Sequence, residues 1–216
     1  MYQAILLDLY GTLVQDDESA VNDVCVQVAD LIAVDPSAIA AEWSRRLEAS
    51  AEMAYGADFR TLADLTLGSL TEAVANFGAS VELEPICRKQ LHSWRHPPLY
   101  DDSRPFLDAV KVPVCLVSDV DQDDLTAVLR WHGIAVAATV TSEEARAYKP
   151  RPEPFQLALA RLGLGPGDVI HIGNSVAGRG VAAEALRRRG IPVFPHHDLE
   201  RAAAALAEQE RQHGNG

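Results

Sequence analysis

Cysteine is scarce and scattered. Cys25, Cys87 and Cys115 are the only three, far apart and in no CxxC pair, which excludes paired-cysteine zinc and thioredoxin-like redox sites. An odd number of isolated thiols fits a reducing cytoplasm better than secretion. A basic leader is missing too. The opening "MYQAILLDLYG" carries no positive n-region, and its apolar run is too short for a signal peptide or a membrane span. We therefore expect a cytoplasmic protein with no membrane partner. Positive charge is in deficit, with 19 Lys and Arg against 31 Asp and Glu, a net charge of −12. That balance excludes a sequence-independent nucleic-acid binder, which needs a basic face, but leaves room for a local positive pocket around a small anion. Internal repeats are absent.

What is present reads as an ordinary globular chain, 48% hydrophobic and 23% charged, long enough for one core plus a modest insertion. Short apolar runs bounded by turn residues recur at 4–9 ("AILLDL"), 112–119 ("VPVCLVSD"), 137–142 ("AATVTS"), 168–174 ("DVIHIGN") and 191–195 ("IPVFP"). They read as strands buried on both faces of a parallel sheet. Between them, 123–133, 153–164 and 180–190 carry helical spacing, and Gly133 and Gly190 supply stops. The alternation predicts an α/β fold, a Rossmann-like doubly wound parallel sheet. One stretch breaks it. From 15 to 97 the pattern is helical throughout, so the loop after the first strand holds an all-helical insertion. The expected division is a core of 1–14 and 98–216 with a helical cap domain of 15–97. The tail reads as a surface helix with a polar end.

Four features fall at the carboxyl ends of predicted strands, where open α/β sheets bind ligands: Asp8, Ser118, Lys149 and the "GNS" at 173–175. A carboxylate followed by a tight Gly11-Thr12 turn can act as a nucleophile if its charge is held in place. Lys149 is the natural cation for that purpose. The hydroxyls of Thr12 and Ser118, with N–H groups of the turn, could bind the oxygens of an anion.

"DLYGTL", "VSD", "YKPRPEPF" and "VIHIGNS" occur in the order and spacing of the haloacid dehalogenase-like hydrolase superfamily, which this chain resembles over nearly its whole length. The insertion is similar to that superfamily's C1 cap. The resemblance implies that Asp8 attacks substrate to give an aspartyl covalent intermediate, which water then hydrolyses. It implies that Thr12 and Ser118 bind the transferred group and that Lys149 holds it against Asp8. In the magnesium-dependent phosphatases of the family, the metal would be held by Asp8, the Tyr10 carbonyl and Asn174. Gly11, Asp119 and Asn174 are carried as substrate-binding candidates, as are Arg45 and Arg60 in the cap; Arg46 and Tyr55 are further cap candidates.

Departures from the phosphatase pattern are specific. Tyr10 stands where those enzymes have an acid, and a phenol is a poor base at neutral pH, though it can donate a hydrogen bond. Asn174 retains one oxygen for a metal but no charge, so Mg²⁺ would bind weakly if it binds. Arg179 stands about where a second Asp is expected and could occupy the place of the missing metal charge. The Asp-x-Tyr-Gly-Thr form resembles the L-2-haloacid dehalogenases, in which halide leaves without a proton and no metal is needed. Yet Phe155 lacks the aromatic hydroxyl of that subgroup, and Ala177 replaces its late acid.

Simpler roles stand beside these. Asp119 and Asp121 read as caps of the helix beginning near Asp123, and His171 as a packed core residue. Three functions follow as expectations. The leading one is a small-molecule phosphomonoesterase with an atypical metal site. A metal-independent dehalogenase-type hydrolase is the second, and a catalytically degenerate member that binds an anion or a protein is the third. A small anionic substrate is expected as partner; a homodimer is left open.

Overall fold

The computed structural model describes residues 2–173, 186–187, 190–195, 199, 202–206 and 208. Its framework is one parallel sheet of β1 (Ala4–Leu7), β2 (Val114–Ser118), β3 (Ala138–Thr141), β4 (Val169–Gly173) and β5 (Val193–Pro195). The spatial order is β3-β2-β1-β4-β5, so β1 lies at the centre. Ile5 pairs with both Val114 and Ile170 in register. The sheet is covered on both sides, which is why its strands read as unbroken apolar runs. Ile5, Leu7, Leu116, Ile170 and Ile172 pack on one face, with Phe106 and Val128. Ala4, Leu6, Cys115, Val117 and Val169 pack on the other, with Phe155 and Ala158.

Core helices with both ends among the described residues are α5 (Ser103–Ala109), α6 (Gln122–His132), α7 (Ser142–Ala145) and α8 (Pro152–Leu162). The helix expected over 180–190 lies mostly outside the described residues. Gly133 and Gly163 end α6 and α8 at φ +60° and +68°, the left-handed cap that glycine adopts without strain. The short α5 and α7 are absent from the sequence reading. Seven residues with Pro105 in the first turn make a poor periodic signal, although proline is tolerated there.

Between β1 and β2 run α1 (Glu18–Ile32), α2 (Pro36–Met53), α3 (Leu62–Asn76) and α4 (Glu84–Ser93). They close around their own apolar cluster, which includes Val28, Ile39, Trp43, Leu70 and Cys87. The chain leaves and returns side by side: Gln15 N–H bonds Pro98 O at 2.8 Å, and Tyr100 N–H bonds Leu13 O at 3.1 Å. Asp121 ties the insertion to the sheet, accepting from the N–H groups of Leu62 (2.8 Å) and Ala63 (3.0 Å) at the start of α3. The expectation that Asp119 and Asp121 cap α6 is corrected here. Asp121 is the residue before α6, but its side chain caps α3, and Asp119 bonds Lys149. A spare carboxylate at the sheet edge serves whichever open helix end lies within reach. Among the described residues, no single helix is long and apolar enough to cross a membrane.

Candidate active site

Asp8 follows β1 directly, and its N–H still bonds Ile172 O at 2.9 Å. The strand pairing therefore carries the carboxylate to the sheet's edge before the chain turns. Gly11, at φ +70°, makes that turn, a conformation costly for any residue with a Cβ. Its N–H bonds Val14 O at 2.7 Å, while those of Thr12, Leu13 and Val14 all bond Leu9 O. Here the structure corrects an expectation. These turn N–H groups, including the one offered by Gly11 as a substrate-binding candidate, are spent inside the turn rather than turned toward an anion.

The central pair is buried and close. Lys149 Nζ donates to Asp8 Oδ1 at 2.7 Å and to Val117 O at 3.0 Å. Leu9 N–H also donates to Asp8 Oδ1, at 2.9 Å. The Asp8 and Lys149 side chains are 7% and 8% exposed, so water screens their attraction little. Burial alone would lower the Lys149 pKa, but Asp8 and Asp119 outweigh it, and the ammonium is held more firmly than usual. Asp119 accepts Lys149 N–H at 2.9 Å. Burial pushes its carboxyl up to about 6, opposed by Lys149 and reinforced by Asp8. Ser118 and Thr12 are both buried at the same edge.

β4 supplies the floor. A Cβ on Gly173 would lie 2.8 Å from Asp8 Cβ and 3.1 Å from His171 Nε2, so only glycine lets the strands bring Asp8 so near. His171 is buried and edge-on to Phe155, with ring centroids 5.5 Å apart. Burial and the neighbouring Lys149 lower its pKa to about 4, so it is neutral at physiological pH. Its packing role is the one expected from a histidine on a buried strand.

Tyr10 turns toward the insertion, where its hydroxyl donates to the carbonyl of Trp94. Burial, with Asp124 and Asp17 adding, holds its phenol well above the ordinary value, so it does not ionise near neutrality. Tyr10 also borders a cavity of about 340 Å³ together with Asp119, Trp43, Thr66, Gln90 and Trp94. Nothing in the motifs singles out the last four. Gln90 and Trp94 stand one helical turn apart in the sequence, but that is also the spacing of a core face.

The two arginine candidates are not brought to this cavity. Arg45 is exposed and paired with Glu42 at 2.7 Å. Arg45 and Arg60 border a separate groove that also includes Arg46 and Glu72. Three or four residues of helix separate Arg45 and Arg46 from Glu42, and that local pairing decides where their charge goes. Tyr55 lies under Arg151, whose guanidinium carbon is 3.6 Å from the ring centre. Asn174, Ala177 and Arg179 lie outside the described residues, so their expected roles are not placed.

Magnesium is the cofactor implied by the phosphatase pattern. Among the described residues, no group of three His, Cys, Asp or Glu could hold a metal. Asp8 Oδ1 is already taken by Lys149 and Leu9. Asp8 Oδ2 carries neither of these bonds, and Asn174 lies outside the described residues, so the described donors by themselves do not make a magnesium site.

The model of haloacid dehalogenase-like hydrolases matches residues 2–186. The chain belongs to the haloacid dehalogenase-like hydrolase family. This hydrolase is 24% identical over 179 residues, 80% of the chain and 75% of the relative, to (S)-2-haloacid dehalogenase 4A of Burkholderia cepacia. L-2-haloacid dehalogenase from Xanthobacter autotrophicus shares its fold at a TM-score of 0.70 and 19% identity, covering 95% of this chain and 81% of the other. The defluorinating L-2-haloacid dehalogenase Rha0230 superposes with a TM-score of 0.72 and 22% identity, covering 95% of each chain. These likenesses establish the α/β fold expected from the strand pattern. These three relatives are all dehalogenases.

Proposed function

We propose that this hydrolase acts on small 2-halogenated carboxylic acids, with Asp8 as nucleophile. Asp8 Oδ1 is fixed by two donors, which leaves Oδ2 to attack carbon 2 of the substrate. The new carbon–oxygen bond forms as the carbon–halogen bond breaks, and halide departs with the bonding electron pair. Water then attacks the aspartyl ester carbonyl, restoring Asp8 and releasing a 2-hydroxy acid. Lys149 offsets the negative charge gathered at the site, and Asp119, the second carboxylate against Lys149, takes one proton from that water. The water's other proton passes to the departing 2-oxygen as the ester bond breaks, and Asp119 then releases its own to solvent. Thr12 and Ser118, at the same sheet edge, bind the substrate's carboxylate. In this reading the helices of 15–97 form a cap over Asp8.

The supporting observation is the state of Tyr10. A phosphate ester needs a proton for its departing alkoxide, and the residue two positions after the nucleophile normally supplies it. Here that residue is a tyrosine whose hydroxyl is committed to Trp94 O. Halide is a weak base and leaves without a proton, so its chemistry has no use for an acid there.

The decisive experiment measures chloride released from both enantiomers of 2-chloropropionate in the presence of a chelator. A parallel assay follows hydrolysis of p-nitrophenyl phosphate with magnesium. Chloride release without metal is the expected result. Phosphate ester hydrolysis with no chloride release would overturn the proposal.

A further inference from the structure

The cavity beside Asp119 has a chemistry of its own. Its walls include Trp43 and Trp94, and the nitrogens of both indoles and of the Gln90 amide are already engaged within the protein. Trp43 Nε1–H bonds Thr66 O at 3.1 Å and Ser69 Oγ at 3.0 Å. Trp94 Nε1–H and Gln90 Nε2–H both bond Asp17 Oδ2, at 2.7 and 2.8 Å. Because a carboxylate only accepts, Asp17 fixes which end of the Gln90 amide faces it. The amide oxygen is left over. Gln90 Oε1 and Thr66 Oγ1 are buried and have no hydrogen-bond partner among the described residues. Both side chains line the cavity, and the two residues are 3% and 1% exposed. Lysine and arginine do not occur among the described lining residues, whereas Asp17 and Asp119 do.

We propose that this cavity receives the non-reacting end of the substrate and selects an apolar chain carrying a hydroxyl or amino group. That group's hydrogen would be accepted by Gln90 Oε1, with Thr66 Oγ1 completing the contact. A buried acceptor left unmet is unfavourable, and a ligand that meets it gains what an all-hydrocarbon ligand cannot. A second carboxylate would instead meet the carboxylates of Asp17 and Asp119 and the Gln90 oxygen, with only the Thr66 hydroxyl of that pair able to donate to it. This substrate class rests on the dehalogenase reading, and the cavity's selectivity can be measured apart from it.

The test compares 2-chlorohexanoate with 2-chloro-6-hydroxyhexanoate and 2-chlorohexanedioate in chloride release. Hexanoate and 6-hydroxyhexanoate are compared by quenching of tryptophan fluorescence, which needs no turnover. The hydroxylated acid is expected to show a KM about five- to tenfold lower than the plain acid, the worth of one hydrogen bond, with kcat little altered. The dicarboxylate is expected to be the poorest of the three. In Gln90→Leu and in the shape-conserving Thr66→Val, the ratio between hydroxylated and plain acid should fall toward one.

Tighter binding of 6-hydroxyhexanoate without any chloride release would sink the dehalogenase reading and keep the cavity's assignment. Equal KM for the plain and hydroxylated chloroacids would keep the reaction and overturn the assignment. So would a ratio unmoved by Thr66→Val and Gln90→Leu together, the result expected if water meets these oxygens, and so would failure of every acid to bind.

Discussion

Two ion pairs in this molecule have the same length and different consequences. Lys149 and Asp8 meet at 2.7 Å, and so do Arg45 and Glu42. The first pair is buried on both sides, while Arg45 is 63% exposed. Water screens the outer pair, and two neighbours on one helix would hold it in any helical context. The inner pair joins residues 141 positions apart and exists only because β1 and the loop before α8 are brought together. Distance alone therefore says little about which charge does chemistry; burial and sequence separation say more.

The largest effect expected to sharpen that contrast is on activity. Asp8→Asn should lower chloride release by at least about a thousandfold, as removal of a covalent nucleophile does. Lys149→Met leaves a buried carboxylate unpaired and should cost about 3–5 kcal/mol of stability in chemical denaturation, along with turnover. Arg45→Met should leave both unchanged, and equal losses in the two variants would break the comparison. Next in size is Gly173→Ala. A Cβ 2.8 Å from Asp8 Cβ forces β1 or β4 to move, at a cost of about 1–3 kcal/mol, visible as a lower denaturation midpoint and a loss in kcat. Tyr10→Phe removes one bond to the Trp94 carbonyl. It should cost about 1 kcal/mol of stability and lower chloride release far less than Asp8→Asn does. A Tyr10→Phe enzyme as inactive as the Asp8 variant would show that the phenol takes part in the chemistry.

The smallest effect is in pH dependence. Asp119 titrates in the folded protein at about 6 rather than at its ordinary 3.8. Across that window the folded state holds a proton that the unfolded chain has released, so this group lowers stability as pH rises from about 4 to 6. His171, lowered to about 4 from 6.5, acts in the opposite sense over nearly the same window, because there the unfolded chain holds the extra proton. Asp119→Asn should therefore make stability climb more steeply with pH between about 4 and 6. If Asp119 accepts the proton from water, the same variant also loses the rise in rate through about pH 6, which a pH–rate profile measures.

Much of the fold was legible because its causes are local or periodic. Runs such as "VPVCLVSD" are apolar on both faces because the strand is covered on both faces, and the expected 112–119 contains the observed Val114–Ser118. The four helical stretches between β1 and β2 were legible for the same reason. The short α5 and α7 were not, since one or two turns carry too little period to register. Asp8 and Lys149 were expected together from their places at strand ends, which topology converts into contact. The places of Arg45 and Arg60 were not legible, because a helix face such as that of Arg45, or a loop position such as that of Arg60 before α3, is set only by the neighbours it packs against. Asp121 was misread for a related reason, its carboxylate having two helix ends within reach.

By itself the sequence determined which segments become strands and helices, the glycine that turns the chain after Asp8, and the residue types available for chemistry. These depend on backbone preference and on patterns a few residues long. Only the tertiary structure decided that Lys149 reaches Asp8, that Tyr10 turns to Trp94, and that Gln90 and Thr66, beside one cavity, carry oxygens with no partner among the described residues. Each of those depends on how segments far apart in the chain pack, and packing is settled by the whole set of contacts rather than by any one stretch.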